Sequence, residues 1–120
     1  MAKSRLFDIA GHLDLIKVFK FMPTMPITTI AKKALIAIKE ADMTLEINMA
    51  GIRKPIAEAY PSLELLIEAK KLGIEITFGS DAHNPQQVGL YADEVVSMAK
   101  SAGYERCVIY RKRKKEFIYF

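Results

Sequence analysis

Three polar segments recur along this chain at nearly equal intervals, each after a strand-like stretch and ahead of a helix-like one. His12 follows the apolar run Leu6–Ala10, Asn48 follows Met43–Ile47, and Asp81 follows the alternating stretch Ile74, Ile76, Phe78. One strand plus one helix fills each interval, which is the length of a β/α unit. Strands alternating with helices at that spacing imply a parallel sheet, because parallel neighbours need a long crossover. In such folds the loops at the carboxyl ends of the strands gather on one face, where ligands bind. The spacing therefore predicts that His12, Asn48 and Asp81 converge.

The helices between these strands read from their apolar faces and their ends. Thr28 or Thr29 caps a helix running to about Ala41, with Ile30, Ala34 and Ile38 on one side. Ser62 caps a second, faced by Leu63, Leu66 and Ile67 and ended by Gly73. A third spans about Tyr91 to Ala102 and stops at Gly103. Tyr104–Tyr110 reads as a fourth strand and Glu116–Phe120 as a short fifth. At 120 residues the chain is expected to form one domain, 1–120, with a real core.

Charge and cysteine usage narrow the class of function. The net charge is +4, but Arg111-Lys112-Arg113-Lys114-Lys115 carries it, and elsewhere acidic and basic residues nearly cancel. A basic run between two apolar stretches reads as a solvated turn, and no nucleic-acid-binding motif accompanies it. The single Cys107 lies in an apolar run and cannot form an internal disulfide, which agrees with a cytoplasmic setting. No apolar stretch is long enough to span a bilayer, and the first residues lack a signal-peptide layout.

Chemistry concentrates in two loops. In Gly79-Ser80-Asp81-Ala82-His83 an extended backbone turns Asp81 and His83 to the same side. A carboxylate beside an imidazole suits a divalent ion such as zinc, manganese or iron; the plainer reading is a helix cap and an exposed histidine. The other loop, Leu45–Pro55, carries Glu46 within an apolar strand, either paired or metal-bound or on a surface face. Arg53, after Gly51, offers a planar fork for a phosphate or is half of a solvated basic pair. Lys17, shortly after His12, adds a second cation on that side.

Taken together these segments resemble the polymerase-and-histidinol-phosphatase (PHP) superfamily. Phe7–Lys17, containing Gly11-His12-Leu13-Asp14, looks like the segment bearing one of its metal-ligand histidines. Leu45-Glu46-Ile47-Asn48 with Gly51-Ile52-Arg53-Lys54-Pro55 resembles the next stretch of the histidinol-phosphatase branch, and Ile76–His83 its last metal motif. The resemblance implies His12, Asp81 and His83 as metal ligands, Arg53 as the phosphate anchor and Lys17 as a further phosphate contact. It implies a distorted β/α barrel of the PHP type, of which this chain would be a partial, C-terminal half with about four parallel strands alternating with helices. The implied reaction is metal-dependent hydrolysis of a phosphomonoester, L-histidinol phosphate in this branch. The family's opening His-x-His motif and middle ligands have no counterpart here, so the metal site is expected to be incomplete. An open sheet edge would then need covering, by a second copy in a homodimer or by a missing N-terminal half. The alternative is a non-catalytic half-barrel remnant that dimerises and at most binds metal or phosphate weakly.

Overall fold

The computed structural model describes residues 1–120. Its core is a three-stranded parallel sheet of β1 (Ile9–Ala10), β2 (Thr44–Asn48) and β3 (Ile76–Gly79), in that spatial order. The register pairs Ile9 with Thr44 and Ala10 with Leu45, then runs from Leu45 opposite Ile76 to Asn48 opposite Gly79. Helices α1 (Ile27–Glu40) and α2 (Leu63–Lys71) are the crossovers, and α3 (Ala92–Ser101) follows β3. Leu35 and Ile38 of α1, Leu65, Leu66 and Ala69 of α2, and Val95 and Ala99 of α3 pack with Leu45, Ile47 and Ile76 in one buried cluster. Each such leucine or isoleucine stabilises the fold by about 1.5–3 kcal/mol when fully removed from water.

The strand Leu6–Ala10 is shorter than its sequence suggests: only Ile9 and Ala10 join the ladder, and Leu6 and Phe7 lie exposed. At α1 neither Thr28 nor Thr29 is the cap. Pro26 holds non-helical φ −53° and ψ 128°, so its carbonyl accepts from Thr29 N and Ile30 N and the helix begins directly after it. At α2 the expected cap holds: Ser62 Oγ accepts from Leu65 N at 3.4 Å, while Ser62 N donates to Asp14 Oδ2 at 2.9 Å.

The expected fourth parallel strand is absent from the sheet. β4 (Arg106–Arg111) pairs antiparallel with β5 (Lys114–Tyr119) as a separate hairpin. The basic run is its turn: Lys112 and Arg113 take φ of 50° and 63°, the paired left-handed geometry that matches strand twist in a two-residue connection. The chain is thus a mixed α/β domain with three parallel strands rather than four. Its hairpin clasps the amino ends of those strands. Tyr110 OH lies 2.7 Å from Thr44 Oγ1 and donates to Asp8 O at 3.1 Å. Arg113 makes two bonds to the Asp8 carboxylate, at 2.9 and 3.0 Å, and Lys115 meets Asp42 at 2.6 Å. Arg106 meets Glu75 at 2.6 Å. With Arg111 bonded to Glu116 at 2.9 Å, three of the five basic residues of the run meet nearby carboxylates. No helix is long and apolar enough to cross a membrane.

Candidate metal and phosphate site

The opposite, carboxyl ends of β1, β2 and β3 deliver the polar residues, and they meet there. His12 Nε2 lies 2.9 Å from Asp81 Oδ2 and 3.0 Å from Asn48 Nδ2, joining all three loops. His12 and Asp81 both adopt left-handed backbone, at φ 50° and 48°. Non-glycine residues hold that conformation at a cost, and histidine and aspartate are among those found there more often. The cost is carried where each chain segment must turn sharply off the strand to aim its side chain inward.

Around this junction opens a cleft of about 490 Å³, lined among others by His12, Arg53, Tyr60, Asp81 and His83. Arg53 stands at the end of the 3₁₀ turn Ala50–Arg53. Its Nη2 donates to Ser80 O at 3.1 Å and to Asp81 O at 2.8 Å, which pins the guanidinium across the β3 loop. Its Nη1 is shielded and has no partner. A charged donor left buried and unsatisfied in that way is costly. Tyr60 OH is likewise buried without a partner, and burial, then Asp14 and Asp81, push its ionisation upward. The Asp81 carboxyl is held below its ordinary range by the His12 hydrogen bond, with burial opposing.

His83 stands apart from the junction. Its Nδ1 lies 2.9 Å from Asp81 O, and the side chain is 75% exposed. The donor set suits zinc, manganese or iron in kind, nitrogen and carboxylate oxygen together. It does not close in number: no group of three or more His, Cys, Asp or Glu side chains shares one point.

Lys17 is not brought to this cleft. It is 4% exposed, and its Nζ meets Asp14 Oδ2 at 2.9 Å, Glu58 Oε2 at 2.7 Å and Ala59 O at 2.8 Å. An ammonium has three protons, and all three have acceptors. Lys17 ties the β1 loop to the segment entering α2 instead of facing a ligand. Tyr60, which carried no assigned role from sequence, and Glu46, left open there between a paired, metal-bound or surface carboxylate, both border the site. Tyr60 pairs its backbone with Asn48 at 3.0 and 2.7 Å and seats its ring against Gly51, where a Cβ would come within 2.9 Å of the ring. Glu46 turns its carboxylate to the junction, 3.6 Å from His12 Nδ1. Gly11 and Gly79, directly after β1 and at the end of β3, were the available signal, because they leave the space its carboxylate fills.

Known proteins resemble the chain over much of its length. The family described as PHP-associated matches residues 66–101, from α2 through α3. The chain is thereby related to the PHP superfamily. Over 116 residues it is 42% identical to a probable histidinol-phosphatase of Deinococcus radiodurans, covering 96% of this chain and 43% of that protein. Over 102 residues it is 38% identical to a histidinol-phosphatase of Bacillus subtilis, covering 81% of this chain and 35% of that one. A crystal structure of a candidate histidinol phosphatase from Listeria monocytogenes superposes with a TM-score of 0.58 at 27% identity, over 72% of this chain and 35% of that chain. Within the superfamily the chain therefore falls with the histidinol-phosphatase branch. It spans less than half the length of these relatives, which fits a C-terminal half.

Proposed function

We propose that this chain supplies part of the active site of a metal-dependent phosphomonoesterase whose substrate is L-histidinol phosphate, and that it works in the cytoplasm. The observation that carries the reading is that Arg53, pinned by the Ser80 and Asp81 carbonyls, lines the same cleft as the His12–Asp81 pair. His12 Nε2, the Asp81 carboxylate and His83 Nε2 are the groups that would hold divalent metal. When bound, the metal activates water and draws charge off the phosphoryl oxygens. Arg53, fixed by the Ser80 and Asp81 carbonyls, presents its guanidinium charge to the cleft, where it orients the phosphate and neutralises part of its charge. Leu15 and Val18 on the rim help exclude water from the scissile bond.

Because three or more such ligands do not meet among these residues, the complete site draws on further residues, from a second copy or from a part resembling the rest of the relatives. The exposed edge residues Leu6, Phe7 and Ile9 are where such a piece would pack. The same incompleteness supports a second reading, a non-catalytic remnant that binds metal or phosphate weakly.

Phosphate release from L-histidinol phosphate separates the two, measured with zinc, manganese or iron(II) and with a complementing N-terminal piece of the Deinococcus relative. Turnover that appears on mixing and disappears with His83→Ala supports the enzyme reading. A stable complex without turnover would leave the remnant.

A further inference from the structure

The hairpin ends in an open edge. Its two-residue turn makes Arg111 and Lys114 the first hydrogen-bonded pair, and the register then bonds Glu116 to Ile109 and Ile118 to Cys107. Phe120 N continues the alternation, donating to Glu105 O at 3.1 Å. The backbone N–H and C=O of Lys115, Phe117 and Tyr119 therefore point away from β4, and no strand lies on that side. Six main-chain groups stand ready for a strand that pairs there.

Exposed edges are commonly guarded by lysine, proline or a bulge. β5 has no proline, and its register with β4 is unbroken. Lys115 is drawn off the edge by its bonds to Asp42 O and Oδ1 at 2.7 and 2.6 Å. Beyond it Phe117, Ile118 and Tyr119 are 42, 48 and 69% exposed, three large apolar side chains in succession. Arg106 lies 4.0 Å from the centre of the Phe117 ring and also bonds to Glu75, so that ring is held before any partner arrives. The strand also fits itself. When two copies pair antiparallel about Phe117, Phe117 meets Phe117 and Lys115 meets Tyr119 on either side, and every outward group is used. Moving the centre one residue towards the amino end leaves Tyr119 unpaired and sets Glu116 directly against Glu116, two like charges. Moving it one residue the other way leaves Lys115 unpaired.

We propose that β5 is the interface between two copies of this chain, which join antiparallel about Phe117 into one four-stranded sheet ordered β4–β5–β5–β4. A strand of another protein would meet the same main-chain groups without that symmetry. The hairpin sits at the amino ends of the parallel strands and the cleft at their carboxyl ends, so the pairing stands independently of the phosphatase reading.

Sedimentation velocity of the full chain between about 1 µM and 1 mM should show a concentration-dependent dimer. The Lys115, Phe117 and Tyr119 amides should exchange with solvent more slowly as the concentration rises. Phe117→Pro removes an outward N–H that β4 does not use, and should weaken the dimer about tenfold or more. Phe117→Cys reads the same contact with the ladder to β4 left whole. Residues opposite each other in a hydrogen-bonded pair have Cα atoms about 5.5 Å apart, within disulfide reach, so oxidised glutathione should cross-link this variant as a dimer. Lys114→Cys, whose two copies would stand six residues or about 20 Å apart, should not cross-link, and the native Cys107 is buried. A chain monomeric throughout, a dimer whose Phe117 amide exchanges as in the monomer, or cross-linking no better at Phe117→Cys than at Lys114→Cys overturns the proposal.

Discussion

Replacing Lys17 by methionine keeps the length and most of the apolar stem but removes the ammonium that joins Asp14, Glu58 and Ala59 O. The consequences differ at the two carboxylates. Asp14 has a side chain only 4% exposed, and its Oδ1 already lacks a partner, so losing Lys17 leaves a buried charge held by Ser62 N alone. Breaking a buried pair from one side costs about 3–5 kcal/mol. Glu58 is 40% exposed and can turn to water, so its share is at most about 1 kcal/mol. A destabilisation of about 3 kcal/mol follows. At about 2.1 cal/mol/K of unfolding entropy per residue, a chain of 120 residues loses about 4 °C of Tm per kcal/mol, or about 12 °C here. Urea denaturation should show a lower midpoint at unchanged slope. Adding Asp14→Asn to Lys17→Met should recover more than about 1 kcal/mol, because the stranded charge is then gone. If Lys17→Met left stability within about 0.5 kcal/mol of wild type while phosphate affinity fell, the reasoning would be refuted and Lys17 would be a phosphate contact after all.

Tyr104 is buried, donates to Ile74 O at 3.0 Å, and burial pushes its ionisation well above the ordinary 10.0. The folded chain holds the phenol neutral while the unfolded chain releases the proton, so stability is complete below pH 10.0 and falls above it. Tyr104→Phe should cost about 1 kcal/mol at neutral pH and flatten the alkaline limb by up to about 1.4 kcal/mol per pH unit in a denaturation series; an unchanged slope would contradict this. Gly79→Ala puts a methyl group where Glu46 Oε1 sits, and should displace the carboxylate and destabilise the chain by about 1–3 kcal/mol in urea denaturation. Stability equal to wild type would show that the recess is not needed. His83→Ala removes an exposed ring and should leave the urea midpoint within about 0.5 kcal/mol of wild type while lowering metal uptake.

The recurrence of polar residues after apolar strands made the parallel sheet and the meeting of His12, Asn48 and Asp81 legible, because chain length alone dictates where β/α loops gather. The Ser62 cap was legible for a local reason, a hydroxyl three residues ahead of an otherwise unsatisfied amide. The direction of β4 was not. Strand propensity carries no polarity, and the reversal at Lys112–Arg113 uses two left-handed residues without the glycine or asparagine that usually announces it. The buried pairing of Lys17 was not legible, because its charge was visible and its partners were not. Asp14 lies three residues away, but Glu58 and Ala59 arrive from 41 and 42 residues along the chain. Glu46 was half legible: a carboxylate in an apolar strand demanded a reason, and the structure shows one in the space left by Gly11 and Gly79.

The central claim is that His12 and Asp81 take a divalent metal beside an anion held by Arg53. It is tested most directly by anomalous diffraction from crystals of the chain grown with manganese and inorganic phosphate. The account predicts a manganese peak against His12 Nε2 and the Asp81 carboxylate, with phosphate density beside the Arg53 guanidinium. Manganese bound elsewhere, or no manganese with the His12–Asp81 contact unchanged, would contradict it.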